Sequence, residues 1–133
     1  MRPDHELAKE VFMKVAVTAV GGDLDAEVDP RFGRAPYFVV VETDDMSFEA
    51  VENVAADAMG GAGPRAAQTI ADAGAKAVLT GNCGPNAHRT LQAAGIAVVV
   101  GVAGTVREAV ERYVKGEYGE AEGPNVEGGF GSR

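Results

Sequence analysis

The chain has few of the groups that carry out chemistry. Its 133 residues include one cysteine, Cys83, and two histidines, His5 and His88. A lone cysteine excludes an internal disulfide and is compatible with a reducing cytoplasm, the expected localisation. Two histidines leave a thin supply of general bases, and no Ser or Cys stands at recognisable spacing from a base and an orienting acid. Enzymatic activity is therefore not expected. With 12 Lys and Arg against 20 Asp and Glu, the formal charge is −8. That balance argues against sequence-independent nucleic-acid binding, which draws its affinity from cations on phosphates. No apolar run is long enough to span a membrane, and the mixed, charged residues 1–12 carry no secretory signal. Aromatic residues make up only 6% of a chain that is 46% hydrophobic and holds 18 glycines, a composition suited to tight α/β packing on Ala and Val.

What is present is a repeat. Gly63-Pro64 and Gly84-Pro85 stand 21 residues apart, and Gly74 and Gly95 follow at matching distance. Proline fits a first helical turn because its missing N–H has no partner there, and glycine suits the left-handed residue that stops a helix. A compressed third copy runs from Gly104-Thr105 to Gly116. Between the helices lie the apolar runs 75–79 and 96–100, which read as strands. Upstream, Lys14 to Val20 and Tyr37 to Glu42 read as two more strands, separated by a long polar loop from Gly21 to Pro36. Phe48 to Val54 alternates less cleanly and is expected to pair antiparallel with the second strand. The order β-β-β-α-β-α-β-α predicts an α/β fold: a mixed five-stranded sheet ordered 3-2-1-4-5 with three helices, the ribonuclease-H-like arrangement. Short links make the later strands parallel with right-handed crossovers, which brings the helix N-termini to one sheet edge, where a ligand belongs. The expected division is an extension at 1–12 outside the fold, with Met13 a plausible alternative start, a domain at 13–118, and an acidic, Gly-rich tail at 119–133 whose composition predicts disorder.

Several motifs can be weighed and set aside. Gly61-x-Gly63-x-x-Ala66 fits a dinucleotide fingerprint poorly, since it does not follow the first strand and no acidic residue answers it in residues 81–88. No Walker lysine follows it. Asp23, Asp25 and Asp29 lack the Gly and Glu of an EF-hand loop. The first strand has no carboxylate, as a two-metal nuclease of this topology requires.

Three segments remain. Gly60 to Arg65 frees backbone N–H groups to face an anion at a helix start, or is simply a flexible loop. Arg31 and Arg34 lie on a Pro- and Gly-constrained turn, as an anion contact or as salt-bridge partners of Asp25, Glu27 or Asp29. Cys83 precedes the cap Gly84, where the helix dipole favours a thiolate able to bind a soft metal, and His88 follows five residues later. The alternative is a turn cysteine and a surface histidine, and two residues do not complete a tetrahedral zinc site.

At Asp29 to Phe38, Gly60 to Gln68 and above all Thr80-Gly81-Asn82-Cys83-Gly84-Pro85-Asn86-Ala87, the chain resembles the dinitrogenase iron-molybdenum cofactor biosynthesis family. That group includes NifX- and NafY-like proteins, the C-terminal part of NifB and many stand-alone members. The resemblance covers Met13 to about Tyr118, with the three blocks in the family's order. It implies a carrier or chaperone for an anionic metal–sulfur cluster, of the iron–molybdenum-cofactor kind or another metal sulfide, with cluster-assembly or nitrogenase-related partners. Some relatives of the stand-alone branch hold mixed molybdenum–copper sulfide clusters. Arg31-Phe32-Gly33 stands where nitrogenase-associated members typically show His-Phe-Gly, which points to that branch. The residues expected around cargo are Arg31, Phe32, Gly33, Arg34, Gly61, Gly63, Arg65, Gly81, Asn82, Gly84 and Asn86, with Cys83 and His88 as metal ligands. The competing expectation is an interaction or regulatory module of the same fold that binds no metal.

Overall fold

A computed structural model describes residues 13–56 and 61–119. The expected extension at 1–12 and all but the first residue of the tail lie outside the described residues. The elements run β1 (Lys14–Ala19), β2 (Tyr37–Glu42), β3 (Phe48–Glu52), α1 (Ala62–Asp72), β4 (Ala77–Leu79), α2 (Pro85–Ala93), β5 (Ala97–Val99) and α3 (Val106–Val114). They form one α/β unit with a mixed sheet ordered β3-β2-β1-β4-β5. β1 and β2 pair antiparallel, as do β2 and β3, whereas β4 lies parallel to both β1 and β5.

The period-two alternation of the strands splits the core into two layers. Val15, Val17, Val39, Val41, Leu79 and Val99 face Val106, Ala109 and Val110 of α3. Ala16, Phe38, Val40, Val78 and Val98 face Ala66, Ala67 and Ile70 of α1 and Ala87 and Leu91 of α2. Small alanines on α1 and α2 let both helices lie close to the same sheet face.

Glycine ends each of the three helices among the described residues in the left-handed region, at Gly74 (φ 85°), Gly95 (φ 76°) and Gly116 (φ 81°). The starts are less uniform than the repeat suggests. Gly84 caps α2 and Pro85 is its first residue, but α1 begins two residues before Pro64, with the left-handed Gly61 as its cap. β3 stops at Glu52, short of the expected Val54, because Asn53 turns into the protein. Its backbone N–H bonds the Pro36 carbonyl, while its side chain leaves the ladder for other partners. On α3, Glu108 does not reach out to Arg112 as its spacing suggests. It folds back onto the Thr105 N–H at 3.0 Å, and Thr105 accepts from the Glu108 N–H in return, a reciprocal cap.

Candidate functional site

The loop between β1 and β2 is pinned from below by a buried carboxylate. The Asp29 N–H donates to the Thr18 carbonyl (2.8 Å), and the Thr18 hydroxyl bonds the Asp29 carbonyl (2.6 Å) and Thr80 Oγ1 (2.9 Å). Asp29 itself is 1% exposed. Its Oδ1 accepts from the Arg31 N–H (2.9 Å) and from Arg31 Nε (3.1 Å), and its Oδ2 from Arg31 Nη2 (2.9 Å). Burial alone would raise the Asp29 carboxyl, but the Arg31 guanidinium and N–H hold it below the ordinary carboxylate range. The salt bridge weighed for Arg31 is formed with Asp29, and that bridge aims the loop.

The same loop is stitched to the segment after β4. Asn82 N–H donates to the Pro30 carbonyl (2.7 Å), and Phe32 N–H donates to the Asn82 carbonyl (3.3 Å). Phe32 is buried with its ring 6.0 Å from that of Phe38, so it anchors the loop. From the other side, Asn53 Nδ2 donates to the carbonyls of Gly33 (3.1 Å) and Ala35 (2.8 Å), and Arg34 Nη1 donates to the Ala56 carbonyl (2.8 Å).

Two helix starts complete the edge. A Cβ on Gly33 would lie 3.3 Å from the Gly63 nitrogen, and one on Gly63 would lie 3.1 Å from the Ala87 Cβ. Residues 31–34, the start of α1 and the start of α2 therefore meet. Neither helix has a side-chain cap or an acidic residue in its first turn. The N–H groups of Ala62 and Gly63, and of Asn86 and Ala87, have no acceptor within their helices, since Pro64 and Pro85 bring none and Arg65 and His88 are the first to bond back. α3 is the internal control. Its N-terminus carries the Thr105/Glu108 cap and is covered by the β1–β2 loop, where Ala26 and Leu24 carbonyls accept from Val106 and Arg107. In a chain of net charge −8, residues 73–107 contain no Asp or Glu. The starts of α1 and α2 thus combine first turns free of carboxylates with backbone donors that have no partner in their helices, an arrangement suited to an anion.

The profile of a family described as dinitrogenase iron-molybdenum cofactor matches residues 13–116. The chain belongs to that family. It is similar to the apo form of the orange protein from Desulfovibrio gigas, at 48% identity over 86% of this chain and 98% of that one, with a TM-score of 0.84. It is also similar to a NifB-like protein from Thermotoga, at 40% identity over 81% of this chain and 92% of that one, with a TM-score of 0.71. An uncharacterised protein of Methanocaldococcus jannaschii is 29% identical over 84% of this chain and 94% of its own length.

The member's two expected metal ligands sit deeper than their spacing implies. Cys83 is 1% exposed, in one apolar cluster with Phe32, Ala66 and Leu91. Burial pushes its thiol up to about 12, opposite to the lowering that a helix start alone would give. His88 is 4% exposed, not a surface residue. Helix geometry turns it about 100° round α2 from Ala87, the residue that meets Gly63. Among the described residues, no three His, Cys, Asp or Glu side chains group as metal ligands would. Arg65 is exposed on the first turn of α1, and Arg89, which sequence reasoning passed over, is drawn back along α2 to Asn86 Oδ1 at 3.1 Å. Thr18, Asp29, Asn53 and Thr80 hold the site and were also missed as a set. Asp29 and Asn53 carry a local signal, an Asx-type turn in which the side chain accepts from the N–H two residues on (Arg31 at 2.9 Å, Ala55 at 3.1 Å), whereas Thr18 and Thr80 carry none.

Proposed function

We propose that this chain is a non-catalytic cytoplasmic carrier that holds an anionic metal–sulfur cluster as cargo, of iron–molybdenum-cofactor or other thiometallate type. The strand order is read as a ribonuclease-H-like scaffold put to carriage. The observation that carries the proposal is the meeting of Gly33, Gly63 and Ala87, which sets two uncapped helix starts beside the 31–34 turn. Backbone N–H groups of Ala62, Gly63, Asn86 and Ala87 would donate to cluster sulfides. Asp29 offsets the charge of Arg31, so Arg34 and Arg65 supply most of the added positive charge. The relative at 48% identity is called an orange protein and is known in an apo form, words that fit a coloured, removable ligand. With Cys83 neutral and buried, the cargo is held through amides and guanidinia and not through a thiolate. Cluster-assembly or nitrogenase-related proteins are the partners this role needs.

Anaerobic incubation of the full chain with tetrathiomolybdate and either an iron or a copper salt tests the reading. The expected result is a visible sulfide-to-metal band with stoichiometric metal after desalting, reduced in an Arg34→Ala, Arg65→Ala double variant. A protein that stays colourless with every metal combination overturns the carrier reading in favour of an interaction module.

A further inference from the structure

β3 forms an open edge of the sheet. Its pairing with β2 identifies which backbone groups face outward. Glu42 N–H donates to the Ser47 carbonyl, and Asn53 N–H to the Pro36 carbonyl. In an antiparallel ladder hydrogen-bonded and non-bonded pairs alternate. The register Val41↔Phe48, Val40↔Glu49, Val39↔Ala50, Phe38↔Val51 and Tyr37↔Glu52 then makes Glu49 and Val51 the bonded residues. Phe48, Ala50 and Glu52 turn their N–H and C=O groups to the free side.

The edge is regular, with no proline within it, and it is unusually apolar at its ends. Phe48 is 44% and Val54 86% exposed. It is also acidic. From residue 35 to residue 64 there is no Lys, Arg or His. Asp44, Asp45, Glu49 and Glu52 are all exposed, and among the described residues none of them has a cation partner. The acid-free stretch 73–107 builds β4, α2 and β5 at the opposite edge.

Open edges are ordinarily protected against pairing with other chains, and like charges are one of the means. Here a β3–β3 contact would bring Asp44, Asp45, Glu49 and Glu52 of both copies to one seam, where crowded like charges are destabilising. The same charges favour a partner of opposite sign. We propose that the edge of β3 docks an extended, lysine- or arginine-bearing segment of a partner protein by strand addition. The partner's backbone pairs with Phe48, Ala50 and Glu52, its cations meet Glu49, Glu52 and the Asp44-Asp45 turn, and its apolar side chains rest on Phe48 and Val54.

Amide hydrogen exchange on the labelled full chain, with and without an excess of an acetylated Lys-Val-Thr-Lys-Val amide peptide, whose two lysines fall on opposite faces of a strand as Glu52 and Glu49 do, tests this. The expected result is slowing of about tenfold or more at Phe48, Ala50 and Glu52, with little change at Glu49 and Val51, which are already paired. The slowing weakens at high salt and is lost in Glu49→Lys, Glu52→Lys, whose exposed positions leave the thermal midpoint nearly unchanged. Three outcomes overturn the proposal. They are no slowing at those amides, equal slowing by a Glu-Val-Thr-Glu-Val peptide, or slowing without peptide together with concentration-dependent dimers, which would make a second copy the occupant.

Discussion

Gly81 and Pro30 cross where no side chain can enter. A Cβ on Gly81 would lie 2.7 Å from the Pro30 Cα and 2.8 Å from its Cβ. Those are backbone and ring atoms already held by the Asn82–Pro30 hydrogen bond, so neither can swing aside. Gly81→Ala is expected to destabilise the fold by about 1–3 kcal/mol through overpacking and to shift the 31–34 turn away from α1. Gly95→Ala, at φ 76° with nothing within 4 Å, strains only its own backbone. Urea titrations should show both losses, but cluster uptake should fall in the first variant alone. Equal uptake by the two would mean that the Gly81–Pro30 crossing does not shape the cradle.

The Asp29–Arg31 pair carries a pH dependence whose sign is set. The Asp29 carboxyl is held below its ordinary value of 3.8 in the folded chain, so the unfolded chain binds the proton first as pH falls. Its contribution is fully present above about pH 5 and is lost progressively as pH drops through 3.8 towards the lowered folded value. Asp29→Asn should therefore cost about 1–2 kcal/mol at pH 7, a modest figure because Arg31 is largely solvent-exposed. The gap to wild type should narrow by pH 3. Parallel stability–pH curves for the two proteins would contradict the pairing.

Cys83 provides the opposite limb. Its thiol is raised from 9.0 to about 12 by burial, so the unfolded chain loses this proton first as pH rises. The stability it contributes is complete below pH 9 and declines between about 9 and about 12. Folded protein should react with thiol reagents only at the rate at which this region opens. Cys83→Ala should cost about 1 kcal/mol for the lost packing and leave cluster uptake intact. Metal lost in proportion to the thiol would show that the cysteine moves out to ligate.

How much of this was legible beforehand depends on the range of each signal. Gly74, Gly95 and Gly116 ended their helices as expected because a left-handed stop is a local demand, and the strand order followed from the alternation of elements. The start of α1 was expected at Gly63-Pro64 and falls two residues earlier, with the left-handed Gly61 as its cap, because a helix can begin ahead of a first-turn proline as well as at it. The fate of Cys83 was hidden for another reason. A helix dipole can be read from neighbours in sequence, whereas desolvation depends on Phe32 and Leu91 closing over the sulfur. Thr18 and Thr80 were invisible because the Thr18 hydroxyl bonds Asp29, 11 residues away, and Thr80, 62 residues away; Asn53 has a local turn onto Ala55, but the bonds that hold the site reach Ala35 and Gly33, 18 and 20 residues back.

The two uncapped helix starts set stability against binding, and Asn86 is where the conflict can be measured. A carboxylate in a first turn interacts favourably with the helix dipole by about 0.3–1 kcal/mol, yet α2 has none and places Asn86 there with Arg89 drawn onto its Oδ1. Asn86→Asp keeps that acceptor and the size of the side chain, so it should raise thermal stability slightly. The same negative charge occupies the field that the N–H groups of Asn86 and Ala87 would present to an anionic cluster, so uptake should weaken. Thr105→Ala tests the reverse at the capped α3, where loss of the Thr105–Glu108 cap should cost about 1 kcal/mol and leave uptake unchanged. If Asn86→Asp gained stability without losing cargo, the donors at the start of α2 would not be the ones that hold it.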